Sequence, residues 1–295
     1  MSFLDRIAEC NRFDRDDCIP VRFASHPKLR LGVVREARAE ELARRDPSRA
    51  RCVDGCLELA PGADTEGERT RVLDEIVAGL VEREELSRRY GEAFDVIESF
   101  GRERVAQVDR IAMAWFGFHA YGVHINGFVR QPDGGELSMW VATRARGKST
   151  FPGMLDNMVA GGQPSGLSAR DNVIKECAEE AGVPADLARQ ARAVGAVSYC
   201  VEHPRGLKPD TMFCYDLELP PDFVPRAVDG EVDSFALRPL TEVAEIVQDS
   251  NWFKFNCNLV IIDFLVRHGW LGPDDPDYLA IVRGLDQPLD LDGLG

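Results

Sequence analysis

The chain has 295 residues, 44% of them apolar, and a formal charge of −15, so it can bury a sizeable core in one large domain or two ordinary ones. The acidic excess, with a pI near 4.8, sets a repulsive average field against DNA or RNA; it argues against a nucleic-acid partner and leaves room for a local cationic pocket on a small phosphate ester. No run approaches the roughly 18 apolar residues of a membrane span, and Met1–Asn11 lacks the basic and apolar regions of a signal peptide, so no membrane partner is expected and the cytoplasm is the expected location.

Residues 1–108 read as a small α+β unit. The stripe Val72, Leu73, Ile76, Val77, Leu80 and Val81 predicts a helix with a core face, and the mixed-sign runs Arg35–Arg51 and Glu82–Arg89 predict solvated helix faces. The eight cysteines are expected to be small buried apolar residues, since reducing conditions disfavour disulfides. Cys52 and Cys56 form a C-x3-C without a second pair or a nearby His, a poor zinc signal.

From Ile111 onward short strands, glycines and aromatics take over, predicting a second unit over 109–270. Tyr121–Val129 predicts a strand with Val123, Ile125 and Val129 on one face. A turn at 131–135 and a strand at Leu137–Thr143 complete a hairpin. Further strands are expected at Ala193–Val201, Thr211–Leu219 and Asp233–Leu237, then helices at Leu240–Val247 and Asn256–Arg267. Residues 271–295, rich in Asp, Pro and Gly, predict an exposed acidic extension.

The stretch Gly161–Val183 carries the chemistry. Ser168 with Asp171 three residues on resembles a capping box, starting a helix at about Ala169 that Gly182 ends. Val173, Ile174, Cys177, Ala178 and Ala181 give that helix a face for docking on a sheet. Glu176, Glu179 and Glu180, at i, i+3 and i+4, project together from another face. Such carboxylates repel by about 0.2–0.5 kcal/mol a pair, a sign that Mg²⁺ would reverse through its preference for oxygen ligands. An isolated E-x-x-E-E more often means a solvated acidic face; the glycine loop before it changes the reading.

With Gly161, Lys175, Glu176, Cys177, Glu179, Glu180, Gly182 and Val183 in place, the segment resembles the Nudix box, G-x5-E-x7-R-E-U-x-E-E-x-G-U, where U is aliphatic. Leu167 stands where the family has Glu and Lys175 where it has Arg. That removes both ends of an ionic brace, so the loop is expected to be held by Leu167 packing and glycine geometry. Trp140, Lys148, Pro152, Gly153, Leu155, Asp156, Asn157 and Ala160-Gly-Gly162 are similar to the approach strand and loop of the subgroup that includes isopentenyl diphosphate isomerase and thiamine-related hydrolases. Phe116-Gly117, Tyr121-Gly-Val-His-Ile-Asn126, Ser198-Tyr199, Arg205-Gly-Leu207, Tyr215-Asp-Leu-Glu-Leu-Pro220, Asp229-Gly-Glu-Val232 and Phe235 resemble the Nudix part of fungal thiamine pyrophosphokinases and their relatives, which carry an added N-terminal domain.

The resemblance implies an α+β fold, a Nudix α/β/α sandwich with a mixed sheet preceded by a smaller α+β domain. It implies Mg²⁺, replaceable by Mn²⁺, held by Glu176, Glu180, Glu179 and the Gly161 carbonyl, with Glu179 serving as a ligand or as a base. Glu231, after a turn-forming Asp-Gly, is either a further catalytic carboxylate or a turn acid, and Glu202 has the same two readings. Arg144, Lys148 and Arg205 are candidates for holding phosphates, and Tyr121, His124 and Asn126 for contacting the organic half of a substrate. The implied activity is hydrolysis of a small-molecule diphosphate, thiamine diphosphate or its oxidised analogues, to the monophosphate; a homodimer is open to the chain. The alternatives are an isopentenyl diphosphate isomerase-like enzyme, which needs a reactive Cys that the approach loop lacks, and a binding module weakened by Leu167 and Lys175.

Overall fold

The computed structural model describes residues 2–130 and 134–291, so residues 131–133 of the expected turn and 292–295 of the expected extension lie outside it. After helix α1 (Phe3–Cys10) the N-terminal unit runs β1 (Cys18–Phe23), β2 (Gly32–Arg35), α2 (Glu36–Arg45), β3 (Ala50–Val53), β4 (Cys56–Leu59), α3 (Glu66–Glu82), β5 (Ala93–Val96) and β6 (Ala106–Asp109). Four of these strands form a sheet in the order β2-β1-β4-β3, and β5 and β6 form a hairpin of their own. Leu73, Ile76, Val77 and Leu80 of α3 are buried in its core, as the helical spacing requires.

The short helix α4 (Met113–Phe116) leads to β7 (Ala120–Val129), β8 (Ser138–Arg144), β9 (Leu155–Asn157), β10 (Val159–Gly162), α5 (Ala169–Ala181), α6 (Ala185–Ala188), β11 (Arg192–His203), β12 (Gly206–Glu218), β13 (Val232–Pro239), α7 (Leu240–Asp249), α8 (Phe255–Arg267) and α9 (Tyr278–Gly284). The sheet order is β11-β12-β7-β8-β13, with β10 added on β7 and β9 on β8. It is mixed, because β12 and β7 are parallel while β7–β8, β8–β13 and β11–β12 are antiparallel. Alternation along β7 puts Val123, Ile125 and Val129 against Val173, Cys177 and Ala181 of α5. The opposite sheet face, with Phe128, Met139, Val141, Tyr199 and Met212, packs under α1, α7 and α8. This is the expected α/β/α sandwich. Among the described residues no helix is long and apolar enough to cross a membrane.

Both ends of the chain depart from the sequence reading. Helix α1 belongs to the second unit: Phe3, Ile7 and Cys10 join the core beneath α8. Residues 278–285 are not an exposed extension either, since Ile281 and Leu285, one helical turn apart, are buried in the same core. The strand-like pairing of Ser198 with Leu285 and Gln287 fastens this tail to β11. The linchpin of the N-terminal docking is Arg6, 1% exposed, which donates from Nε to Val247 O (2.7 Å) and from Nη2 to Ser250 O (2.6 Å), while Nη1 donates to Asn251 Oδ1 (2.5 Å). Arg6→Ala leaves these buried acceptors without a donor and is expected to lower the unfolding free energy by about 3 kcal/mol, read from urea denaturation; a change within 0.5 kcal/mol, the ordinary range for a surface site, would show that α1 does not secure the sandwich.

Candidate active site

Helix α5 is set by its ends. Ser168 accepts from Asp171 N at its N-terminus, and Gly182, at φ +61°, closes it in the left-handed conformation. Glu176 and Glu180 lie on its buried side with Asn172, Val173 and Cys177, whereas the Glu179 side chain is half exposed. The three carboxylates therefore do not project as one equivalent set. Glu180 Oε2 accepts from Ala160 N (2.9 Å), the outward-facing amide of edge strand β10. Glu176 packs its carboxyl against Gly161, where a Cβ would overlap it. Lys175 bridges Glu176 Oε1 (3.1 Å) and Glu179 Oε2 (2.7 Å).

Burial pushes the Glu180 pKa up to about 8; the Ala160 amide opposes this, and the charges of Asp156, Glu176 and Glu231 add to it. Burial also raises Glu176, against the pull of Lys175. Two buried carboxyls beside a side-chain-free backbone form a cradle of hard oxygen donors that is short of positive charge, which fits a small divalent cation.

The loop before α5 is not held by Leu167, whose side chain is 37% exposed. An amide pair does the bracing: Asn172 Nδ2 donates to Gly162 O (2.8 Å) and to Gln163 Oε1 (3.2 Å), while Gln163 Nε2 donates to Leu167 O (2.8 Å). The β5–β6 hairpin holds the same loop from the N-terminal unit. Ser165 N donates to Ala93 O (2.8 Å), Ser165 Oγ donates to Asp95 (2.5 Å) and accepts from Arg104 (3.0 Å), and the Phe94 ring fills the space a Gly162 side chain would need.

The remaining candidates are placed as follows. Lys148 and Glu231 pair with each other, and the Glu231 charge is felt at Glu180. Arg144 is buried and donates to Asp156 (2.7 Å), Phe151 O (3.0 Å) and Thr150 O (2.9 Å), so it holds the approach loop. His124 and Asn126 are buried in a hydrogen-bonded row, His124 Nδ1 to Asn157 Oδ1 (2.8 Å), Asn157 to Asn126 (3.0 Å) and Asn126 to Asp216 (3.1 Å). Burial lowers the His124 pKa to about 4, so near neutral pH it is an uncharged structural partner. Tyr121 lies on the other face of β7, among Phe100 (5.1 Å) and Phe213 (6.0 Å). Arg205 sits at the β11–β12 turn with its guanidinium 6.0 Å from the Tyr90 ring, and Glu202 pairs with Arg35 (2.5 Å) in a surface groove shared with Arg38 and His203.

Sequence reasoning did not single out Asp156 as a neighbour of the cradle, whose charge is felt at Glu180, nor the contacts of Asp156 with Cys257 and Lys254. His124, Asp156 and Cys257 bring donor atoms within 4.8 Å of one another, but the Cys257 thiol donates to Asp156 (2.7 Å), is held protonated by burial, and shares Asp156 with Arg144. The trio's hydrogen bonds thus run between Cys257 and Asp156 and outward to Asn157 and Arg144. No spacing marks it, because its members come from three separate strands and helices.

Residues 2–120 match a family described as a domain of unknown function (DUF4743). The chain is 44% identical over 233 residues, 79% of its length, to "Nudix hydrolase 20, chloroplastic" of Arabidopsis thaliana, and 44% identical over 222 residues, 75% of its length, to "Nudix hydrolase 24, chloroplastic" of the same plant. It spans 62% and 60% of those proteins. The NUDIX domain of Shewanella oneidensis NrtR, crystallised with ADP ribose, is similar at 16% identity and a TM-score of 0.41, over 53% of this chain and 91% of that one. The two plant names correct the cytoplasmic expectation: the compartment that they give for these relatives is the chloroplast.

The amide brace is open to test. Asn172→Ala leaves Gly162 O and Gln163 Oε1 without their donor; the expected loss is about 1–3 kcal/mol in urea unfolding, together with a higher Mg²⁺ concentration for half-maximal thermal stabilisation. An unshifted Mg²⁺ midpoint would separate the brace from the cradle.

Proposed function

Taking the chain as a member of the Nudix hydrolase superfamily, on its likeness to the two plant hydrolases and on its box geometry, we propose that it hydrolyses a diphosphate linkage in a small organic diphosphate with Mg²⁺. The observation that carries this reading is the pair of buried carboxyls, Glu176 and Glu180, closed over the Ala160–Gly161 backbone. Glu176 and Glu180 would hold the metal, which when bound polarises phosphate, lowers the pKa of water and offsets leaving-group charge, while the Gly161 carbonyl faces Gly122 of β7 and is not turned to them; Mn²⁺ has the same preference for oxygen donors.

The protein's own groups divide the remaining work. Glu179, half exposed and tethered by Lys175, is placed to orient or deprotonate water. Glu231 adds negative charge on the Glu180 side, and its partner Lys148 can turn from it to a phosphate. Tyr121, with Phe213 and the 41% exposed Phe100, offers an aromatic surface to the organic half. That surface favours a planar heterocycle, and with it thiamine diphosphate or its oxidised analogues, cleaved to the monophosphate.

The isomerase alternative needs a reactive thiol. Cys257 does reach the neighbourhood from α8, but it is buried and protonated against Asp156. A phosphate-release screen with Mg²⁺ across thiamine diphosphate, its oxidised analogues, nucleoside diphosphate derivatives and isopentenyl diphosphate is expected to show release from a heterocyclic diphosphate. Glu180→Gln should lower turnover by orders of magnitude, and Cys257→Ala should leave it near wild type. Near-normal turnover in Glu180→Gln would sink the metal assignment, and binding without release from any compound would make the chain a binding module.

A further inference from the structure

A row of buried polar side chains crosses the α8 face of the sheet and takes no part in the glutamate cradle. It starts at Asp216 of β12, which accepts from Arg267 Nη1 (2.5 Å) and Nη2 (3.0 Å) and from His268 Nε2 (2.8 Å) at the end of α8. From there it runs through Asn126 (3.1 Å) to Asn157 (3.0 Å) and ends on His124 Nδ1 (2.8 Å). Asp216, Asn126, Asn157 and His124 are all buried, at positions where apolar side chains would pack the strands at a smaller desolvation cost.

The donors and acceptors of this row can be ordered in one way. Burial opposes the charge on Asp216, but the hydrogen bonds from His268 and Arg267 outweigh it and hold the carboxyl below its usual pKa. A carboxylate only accepts, so Asn126 turns Nδ2 to it and leaves Oδ1 for Asn157. Asn157 uses Nδ2 on Asn126 and presents Oδ1 to His124. The ring must answer with Nδ1–H. Burial, helped by the Lys254 charge, keeps that ring neutral by lowering its pKa to about 4, and a neutral imidazole with its proton on Nδ1 has a bare Nε2.

The bare nitrogen is open to a ligand. It has no hydrogen-bond partner among the described residues and is not one of their enclosed unpartnered atoms, so the 2% of His124 that is exposed includes it. His124 pairs across the sheet with Ala160, whose amide holds Glu180 (2.9 Å); the two backbones are one strand apart, about 5 Å. Asp156 brings a carboxyl oxygen within 4.8 Å of an imidazole nitrogen, and that carboxyl is matched by Arg144 (2.7 Å) and Lys254 (4.0 Å). The Lys208 charge also acts on the ring.

We propose that Asp216 is a positioning residue: acting through Asn126 and Asn157, it fixes His124 in the Nδ1–H tautomer, so that Nε2 stands one strand from the cradle as a neutral acceptor for an N–H or O–H donor, either a group of the substrate or a water of the reaction. A phosphate oxygen, itself an acceptor, is not received there. The naming of substrate and reaction rests on the hydrolase reading; the tautomer does not.

The test is long-range proton–nitrogen NMR of the full chain labelled in histidine, near neutral pH, with the His124 signals identified by their loss in His124→Phe. A bare imidazole nitrogen resonates far downfield of a protonated one, and the wild type is expected to show Nδ1 protonated and Nε2 bare. Asp216→Asn should reverse the row: the new amide turns its oxygen to Arg267 and its NH₂ to Asn126, both asparagines flip, and the proton moves to Nε2. Asp263→Asn, which touches Arg267 (2.7 Å) outside the row, should leave the tautomer as it was. If Asp216→Asn does not fold, Asn126→Leu, which cuts the row, takes its place with a mixed tautomer expected. A protonated Nε2 in the wild type, an unchanged tautomer in the row variant, or the same reversal in Asp263→Asn overturns the proposal. Turnover of thiamine diphosphate with Mg²⁺ identifies the donor. His124→Phe and the row variant should share one change of about tenfold, the loss of one hydrogen bond: a higher KM if the donor belongs to the substrate, a lower kcat if it is water. Unchanged KM and kcat in both overturns the acceptor role. If the wild type hydrolyses no diphosphate, the hydrolase reading falls, and the spectra alone decide the tautomer.

Discussion

The constraint on which the rest of the site depends is the close approach of the β10 backbone to helix α5. Gly161 has no room for a side chain beneath Glu176, and Gly162 has none beneath Phe94. The apolar residues that dock α5 on the sheet, Val173, Cys177 and Ala181, alternate along the helix with the acids that the same docking carries inward, Glu176 and Glu180. Burial of the hydrophobic face and burial of the carboxyls are thus one event: the first supplies the stabilisation and the second raises the carboxyl pKa values. The free amide of Ala160, available because β10 is an edge strand, gives Glu180 a backbone donor and fixes which oxygen remains turned to the cradle.

Holding that approach without the ionic brace of the Nudix box requires other contacts, and two are present. The Gln163–Asn172 pair is neutral, so it fixes the loop without desolvating an ion pair at a buried place. The second contact is the β5–β6 hairpin, whose Ala93, Asp95, Arg104 and Gln107 converge on Ser165. Lys175 is then free of a bracing role and lies against Glu176 and Glu179, where its charge moderates their repulsion. The departure at Leu167 and Lys175 moves the support to another part of the fold, and it makes the N-terminal unit structurally continuous with the site.

What was legible in the sequence follows the range of the forces involved. The alternation Val123, Ile125, Val129 and the stripe of α3 are local periodicities, and Ser168 and Gly182 mark helix ends by local hydrogen bonding and φ; all were readable. Strands β9 and β10, three and four residues long, carry too little pattern to be seen and owe their conformation to β7 and β8. Arg144 and Lys148 look alike in sequence whether paired or free, and only the fold brings Asp156 to the one and Glu231 to the other. Arg6 finds its acceptors more than 240 residues away, so no window on the chain could place α1 in the second unit.

The charge distribution completes the functional argument. A net charge of −15 repels anions at a distance, and screening confines that repulsion to about 8 Å at physiological ionic strength. A small diphosphate presents few charges to that field, while a polynucleotide would have to lay its remaining phosphates along the acidic surface. On the proposed reading, the acidic exterior acts as a selection for compact phosphate esters over polyanions, and the metal that Glu176 and Glu180 would hold supplies the local attraction.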